Sequence, residues 1–82
     1  MIALQEIDAV VAETMSQVLG MPVSPEDNIA MTACDAWDSL KCIELIVTLE
    51  ERFGISFDAA CLQELTSQSV FVEHIRKLVG NV

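Results

Sequence analysis

The stretch Asp38-Ser-Leu-Lys-Cys-Ile-Glu-Leu-Ile-Val-Thr-Leu-Glu-Glu-Arg-Phe53 decides how the rest of this 82-residue chain is interpreted. Its apolar residues are dense enough for a helix, and Gly54 follows as a typical C-terminal stop. Asp38 is a good N-cap residue, because its carboxylate can accept hydrogen bonds from free N–H groups of the first turn. Ser39 then occupies the first helical position. The start of a helix carries unpaired N–H groups and a partial positive charge, so a hydroxyl there is well placed to carry a phosphodiester.

A helix and a long loop are predicted before this stretch. Apolar residues at steps of three and four, from about residue 3 to Leu19, predict the first helix. Residues 20–37 are predicted to form the loop, which contains two prolines. Ile29 and Met31 are apolar in this polar stretch, and we expect them to pin the loop to the core. Trp37 is expected to anchor the end of the loop as a half-buried side chain.

Two further helices are predicted after the central one. Residues 55–57 are expected to be an extended connector, and a short third helix is predicted from Ala59 to about Leu65, with Leu62 and Leu65 facing inward. A fourth helix is predicted to end at Gly80. It is expected to present five apolar residues to the core: Val70, Phe71, Ile75, Leu78 and Val79.

The predicted fold is therefore all-α: a small four-helix bundle with a long loop between helices 1 and 2 and a short third helix. Apolar residues cover most of the circumference of the second helix, which is typical of a central helix touched by several neighbours. One narrow polar stripe remains for solvent or a partner, and it contains Lys41, Glu44, Thr48, Glu51 and Arg52.

Size and charge limit the possible functions. Residues 1–82 form a single domain by length, and the net charge is −9, with seven acids and no lysine or arginine in residues 1–38. Such a surface repels nucleic acid and anionic lipid but attracts basic patches on proteins. No apolar run approaches the ~18–20 residues of a membrane span, and the acidic N-terminal region does not resemble a secretory signal. We therefore predict a monomeric protein that binds neither nucleic acid nor membrane.

Metal and catalytic sites are not predicted. The three cysteines, Cys34, Cys42 and Cys61, form no Cys-x-x-Cys pair, and they fit small, mostly buried residues of a cytoplasmic protein. His74 is the only histidine and is distant from Ser39 in the sequence, so Ser–His catalysis has no support. Ser39 also lacks the flanking glycines of a hydrolase nucleophile elbow.

The stretch from Asp38 to Phe53 resembles the signature of acyl carrier proteins. The resemblance rests on Asp-Ser-Leu at 38–40 followed by Ile-Glu-Leu at 43–45 and Leu-Glu-Glu-Arg-Phe-Gly at 49–54. More weakly, it extends to the order of helices and to the long loop. It implies that Ser39 carries covalent phosphopantetheine, flanked by Asp38 and Leu40, and that the terminal thiol of this group holds acyl chains as thioesters.

The resemblance also implies the partners. These are a phosphopantetheinyl transferase and acyl-loading and acyl-processing enzymes with basic patches, which Lys41, Glu44, Glu50 and Glu51 are expected to contact. Glu50 falls off the polar stripe by helical angle. Lys41 departs from the acid that many fatty-acid carriers have at this position, so the resemblance implies a specialised carrier at least as strongly as a fatty-acid carrier.

Two alternatives stay open at this point. One is a small acidic helical adaptor that acts only by binding proteins through its second helix. The other is a peptidyl or aminoacyl carrier of the same fold. The intact mass after expression with a phosphopantetheinyl transferase separates the adaptor from both carriers, since only a carrier gains a covalent group.

Overall fold

The computed structural model describes residues 6–58 and 62–80. In this part of the chain it contains three α-helices, namely α1 (Ile7–Leu19), α2 (Ser39–Phe53) and α3 (Gln68–Gly80). Two 3₁₀ turns lie between them, Met31–Ala33 and Leu62–Glu64. The described residues include no strand, although one isolated antiparallel bridge links Ala30 to Ser67. The all-α prediction is confirmed.

The predicted count of four helices is not confirmed. The third helix was expected from Ala59 to about Leu65, but its described portion is the single 3₁₀ turn Leu62–Glu64. The remainder of that prediction, residues 59–61, lies outside the described residues, as do residues 1–5 of the predicted first helix. A helix of so few residues gains few hydrogen bonds for the backbone that it orders, which favours a 3₁₀ turn in a short connection.

The helix that packs against both other long helices is α1, not α2. Its buried side chains lie at steps of three and four and form one face, with Ile7, Val11, Met15 and Leu19 in the core. By contrast, α2 buries only Leu45 and Leu49 among its fifteen residues. The prediction of a central α2 is therefore not confirmed, although α2 does contact α1, Phe57 and Leu65.

Two of the three helix ends predicted at glycines, Gly20 and Gly54, are confirmed, and the residues after Gly80 lie outside the described part of the chain. Gly20 follows α1 with φ 70°, and Gly54 follows α2 with φ 66°, in the left-handed region that glycine adopts without steric cost. After α2 the chain turns back onto the core, and the carboxylate of Glu50 accepts a hydrogen bond from the Phe57 N–H at 2.9 Å. This contact gives Glu50 a structural role at the end of its own helix.

The core is closed by aromatic side chains from three segments. The Trp37 and Phe71 ring centroids are 5.9 Å apart, and those of Phe57 and Phe71 are 6.0 Å apart with the rings nearly perpendicular, within the usual range for aromatic pairs. Trp37 is 2% exposed, so the loop end is anchored more deeply than the predicted half-buried position. Ile29 and Met31 are partly buried against the same cluster, as predicted.

Two residues predicted to face inward do not. Leu62 and Leu78 are each 39% exposed, whereas Leu65 is fully buried. A 3₁₀ turn places side chains differently from an α-helix, since it has three residues per turn, and this accounts for the wrong prediction at Leu62. Leu78 lies near the end of α3, beside half-buried Val79.

The side chain of Gln68, at the start of α3, holds the long loop in place. Its Oε1 accepts from the Ile29 N–H at 3.0 Å, and its Nε2 donates to the Ser24 carbonyl at 2.9 Å. The backbone adds bonds from the Gln68 N–H to the Ile29 carbonyl (2.7 Å) and from the Met31 N–H to the Thr66 carbonyl (2.8 Å). Gln68 itself is only 1% exposed, so its amide is largely removed from water.

We predict that Gln68→Leu lowers the free energy of unfolding by about 1–3 kcal/mol, since it leaves partly buried loop groups unpaired. Urea denaturation measures the change. Gln63→Leu is the matched control, because Gln63 is exposed in the 3₁₀ turn and its replacement is expected to shift stability by less than about 0.5 kcal/mol. Equal effects of the two substitutions would contradict the role of the Gln68 amide.

Candidate functional site

The start of α2 is a capped helix terminus. Asp38 adopts an extended backbone conformation (φ −99°, ψ −173°), and its Oδ1 accepts from the Lys41 N–H at 2.9 Å. The Asp38 carbonyl accepts the first helical bond, from the Cys42 N–H at 2.9 Å. The predicted N-cap is confirmed, and it fixes the residue after it as the first of the helix.

Ser39 is that first residue, and its side chain belongs to the exposed surface. The N–H groups of Ser39 and Leu40 precede the first helical hydrogen bond, and no described residue accepts from them. Leu40 is 65% exposed and does not cover the serine with a packed side chain. A phosphate attached to this hydroxyl would therefore meet solvent, the positive end of the helix dipole and two available N–H donors.

One basic residue lies in the first turn of α2. The Lys41 Nζ is 3.7 Å from the Glu44 carboxylate, and both side chains are substantially exposed. This is an i, i+3 pair on a helix surface, the kind that contributes only about 0.2–0.5 kcal/mol. The predicted partner contacts Lys41 and Glu44 thus lie together on an accessible face, and helix stability gives little reason for their presence.

The other predicted partner contacts are distributed differently. Glu51 is exposed, whereas the Glu50 carboxylate is engaged with the Phe57 backbone, as described above. Arg52, which the sequence placed on the polar stripe, donates to Glu13 at 3.4 Å and Gln17 at 3.1 Å. It joins α2 to α1, so the accessible part of the stripe is its N-terminal half.

Sequence reasoning missed an exposed apolar face on α2. Leu40, Ile43 and Val47 are 65%, 58% and 47% exposed and lie at positions i, i+3 and i+7, which places them on one side of the helix. We call this set the apolar stripe. The sequence shows helical spacing for the apolar stripe, and it shows the same kind of spacing for the buried pair Leu45 and Leu49. Only the packing of α1 decides which of the two faces the core.

Metal ligation and membrane insertion find no support in the described residues. No group of three or more His, Cys, Asp or Glu side chains lies close enough there to hold a metal ion. His74 instead pairs with Glu64, with 3.3 Å between Nε2 and Oε2. No helix in the described part of the chain is long and apolar enough to cross a membrane.

Comparison with known proteins identifies the family of this chain. A family described as "Phosphopantetheine attachment site" matches residues 9–75, a range that includes the start of α2. Acyl carrier protein 3, chloroplastic, from Cuphea lanceolata is 34% identical over 80 residues, or 96% of this chain. The chain belongs to the acyl carrier protein family. It spans 56% of the length of the Cuphea relative.

Membership of this family means a covalently attached phosphopantetheine prosthetic group. The exposed groups at the start of α2 are suited to hold a phosphate. It offers an exposed hydroxyl, two N–H donors without acceptors among the described residues and a helix dipole of the right sign, while the Asp38 carboxylate bonds to the Lys41 N–H.

The cap at Asp38 generates a stability prediction. Asp38→Ala is expected to lower the free energy of unfolding by about 1 kcal/mol through loss of the bond to the Lys41 N–H, whereas Asp38→Asn should retain the bond and most of the stability. Chemical denaturation gives both values. Asp35→Ala removes an exposed carboxylate three residues earlier and serves as the charge control. An equal loss in Asp38→Ala and Asp35→Ala would attribute the effect to charge and not to capping.

Proposed function

We propose that Ser39 is the attachment residue and that this protein carries acyl groups between biosynthetic enzymes. The observation that supports this most is the position of Ser39 as an exposed first residue of a capped helix, within the range of the family match. When bound, phosphopantetheine supplies a flexible arm whose thiol holds an acyl group as a thioester.

The residues of this chain have distinct parts in that function. The Ser39 Oγ provides the oxygen of the phosphodiester, and the Ser39 and Leu40 N–H groups stabilise the phosphate charge. Asp38 positions both residues by fixing where α2 begins. Because Leu40 is exposed beside the attachment point, it offers apolar contact to the arm or to a docked enzyme.

Charge distribution supports partners with basic surfaces. All four lysine and arginine residues pair with acids of the same chain: Lys41 with Glu44, Arg52 with Glu13, Arg76 with Asp8 and Lys77 with Glu73. Most acids of the loop before α2 have no basic neighbour. The electrostatic potential around this protein is therefore negative, which favours rapid association with a basic patch on a partner.

We propose that partner enzymes dock on the exposed side of α2. There the apolar stripe lies beside Lys41, Glu44 and Glu51, so a partner would find apolar contact and charged contact together. A single helix face offers a small interface, which suits complexes that must form and separate in each transfer step.

We propose that the cargo is an acyl group and that the partner enzymes belong to a specialised set. The Cuphea relative is named an acyl carrier protein, which favours acyl cargo over aminoacyl cargo. Lys41 introduces a positive charge next to the attachment serine, which favours a specialised partner set in a fatty-acid, polyketide or related pathway. The free, half-buried thiols of Cys34 and Cys42 are compatible with the reducing cytoplasm expected from the sequence.

Loading of Ser39 is the direct test. Ser39→Ala is expected to fold normally, because Asp38 still caps α2, and to gain no phosphopantetheine when incubated with a transferase and coenzyme A. Intact-mass spectrometry gives the answer. Ser56→Ala is the control, since Ser56 is exposed in the connector after α2 and its loss should leave loading unchanged.

The same measurement separates the remaining alternatives. Loading of the Ser39→Ala variant would reject Ser39 as the site. A wild-type protein that gains no mass with several transferases would favour the acidic adaptor. Loading followed by acceptance of aminoacyl groups in place of acyl groups would favour the peptidyl carrier.

A charge reversal tests the docking face. Glu44→Lys is expected to leave stability within about 0.5 kcal/mol of wild type, but to lower kcat/KM for transfer of the arm, mainly through slower association, with a smaller defect at high salt. Lys41→Glu should act in the opposite direction with enzymes of fatty-acid synthesis. Stopped-flow and steady-state assays at two salt concentrations measure both effects.

The control for this test lies on α3. Glu73→Lys makes the same charge change in another exposed helical ion pair, at 3.7 Å from Lys77. If the α2 face is specific, Glu73→Lys reduces transfer much less than Glu44→Lys. Equal reductions would mean that net charge alone governs association, and the docking face would be rejected.

A further inference from the structure

One contact between α3 and the second 3₁₀ turn depends on a proton. The His74 Nε2 lies 3.3 Å from the Glu64 Oε2, and this pair joins α3 to the turn Leu62–Glu64. The His74 side chain is 21% exposed, whereas the Glu64 side chain is 67% exposed. The imidazole is thus mostly shielded from water, while the carboxylate beside it is hydrated.

Protonation of the imidazole changes the strength of this contact. An imidazolium attracts the ionised Glu64 carboxylate as an ion pair and has an N–H group on both ring nitrogens. A neutral imidazole has one N–H group, and it keeps a hydrogen bond to the carboxylate only when that proton is on Nε2. The contact is therefore strong when His74 is protonated and weak when it is neutral.

The sequence limits this pH response to one side chain. His74 is the only histidine of the chain. Histidine is the side-chain type that ordinarily titrates between about pH 5 and 8, whereas aspartate and glutamate stay ionised throughout this range. A change of pH within the range therefore alters mainly the charge that faces Glu64.

The other charged groups of α3 are paired elsewhere. Glu73 pairs with Lys77 at 3.7 Å, and both side chains are largely exposed. Arg76 pairs with Asp8 of α1 at 3.3 Å. In the described part of the chain, the acid that pairs with His74 is therefore the one on the 3₁₀ turn.

The segment that follows the turn also contacts α2 and the long loop. The Leu65 carbonyl accepts from the Cys42 thiol of α2 at 3.6 Å, and the Thr66 carbonyl accepts from the Met31 N–H of the loop at 2.8 Å. Leu65 itself is fully buried. Segment 62–66 thus contacts three elements, and its contact with α3 through Glu64 is the ionic one.

We propose that His74 and Glu64 form a pH-sensitive latch, which holds segment 62–66 on α3 more firmly at about pH 5.5 than at about pH 7.5. The inference goes beyond the proposed function and does not depend on Ser39. When His74 loses its proton, the ionic attraction to Glu64 is lost and the segment separates from the bundle more often. Because Glu64 is well exposed to water, the latch changes local opening by a small factor and does not unfold the domain.

Amide hydrogen exchange at Met31 tests the latch, because its N–H group bonds to the Thr66 carbonyl and is released when segment 62–66 moves away. The protection factor corrects for the intrinsic pH dependence of exchange. It is expected to be roughly two- to fivefold lower at about pH 7.5 than at about pH 5.5, the range that a partly exposed ion pair provides. The Ile55 N–H, which bonds to the Glu50 carbonyl at 3.1 Å, is the internal control and should keep its protection.

Two variants separate the latch from general charge effects. Glu64→Gln keeps the size of the side chain but removes its charge, so the protection of Met31 should no longer depend on pH. Glu73→Gln is the matched control, since it removes an exposed acid of α3 that pairs with Lys77, and the pH effect should remain. A pH effect that persists in Glu64→Gln, or that disappears equally in both variants, would overturn the proposal.

A double-mutant cycle gives a second measurement. At about pH 5.5, His74→Gln and Glu64→Gln together are expected to lower the melting temperature by less than the sum of their separate effects, because each already removes the ion pair. At about pH 7.5 the two effects should add. Additive effects at both pH values would show that the two side chains are not coupled through a proton, and the latch would be rejected.

Discussion

The buried amide of Gln68 is the contact on which the geometry of the site depends. It bonds to the loop backbone on both sides of a turn, at Ser24 and at Ile29. Backbone bonds between Ile29 and Gln68 and between Met31 and Thr66 hold the same part of the loop. The last residues of that loop are Trp37 and Asp38, so the clamp also governs where α2 begins. A loop this long is unusual in a small domain, and here the buried Gln68 amide contributes to holding it.

The loop end combines two opposite requirements within three residues. Trp37 must be buried to complete the aromatic cluster with Phe71, and Ser39 must be exposed to serve as the proposed attachment residue. Asp38 lies between them with an extended backbone conformation, and the chain turns into helical conformation at Ser39. Its carboxylate then begins the helix. The site therefore depends on the change from extended to helical backbone at one residue, and less on any later part of α2.

Much of this arrangement could be predicted from the sequence. Gly20 and Gly54 marked the helix ends, and Asp38 marked the start of α2, because these signals act through local backbone geometry. What failed was the assignment of faces. Both sides of α2 are apolar, and the choice of Leu45 over Ile43 for the core depends on where α1 packs. Gln68 could not be identified either, since its partners lie about forty residues away in a loop with no periodic pattern.

The apolar stripe has a measurable cost for a domain of this size. Burial of a leucine, isoleucine or valine side chain contributes about 1.5–3 kcal/mol, and Leu40, Ile43 and Val47 leave roughly half of their surface in water. The domain thus forgoes on the order of 1 kcal/mol at each position, a large amount against the 5–15 kcal/mol of a typical protein. A polar residue at any of the three would lose little core packing and would improve solubility. Stability therefore does not account for the stripe, whereas the transient docking proposed beside Ser39 would account for it, because each partner could bury there what the free protein leaves exposed.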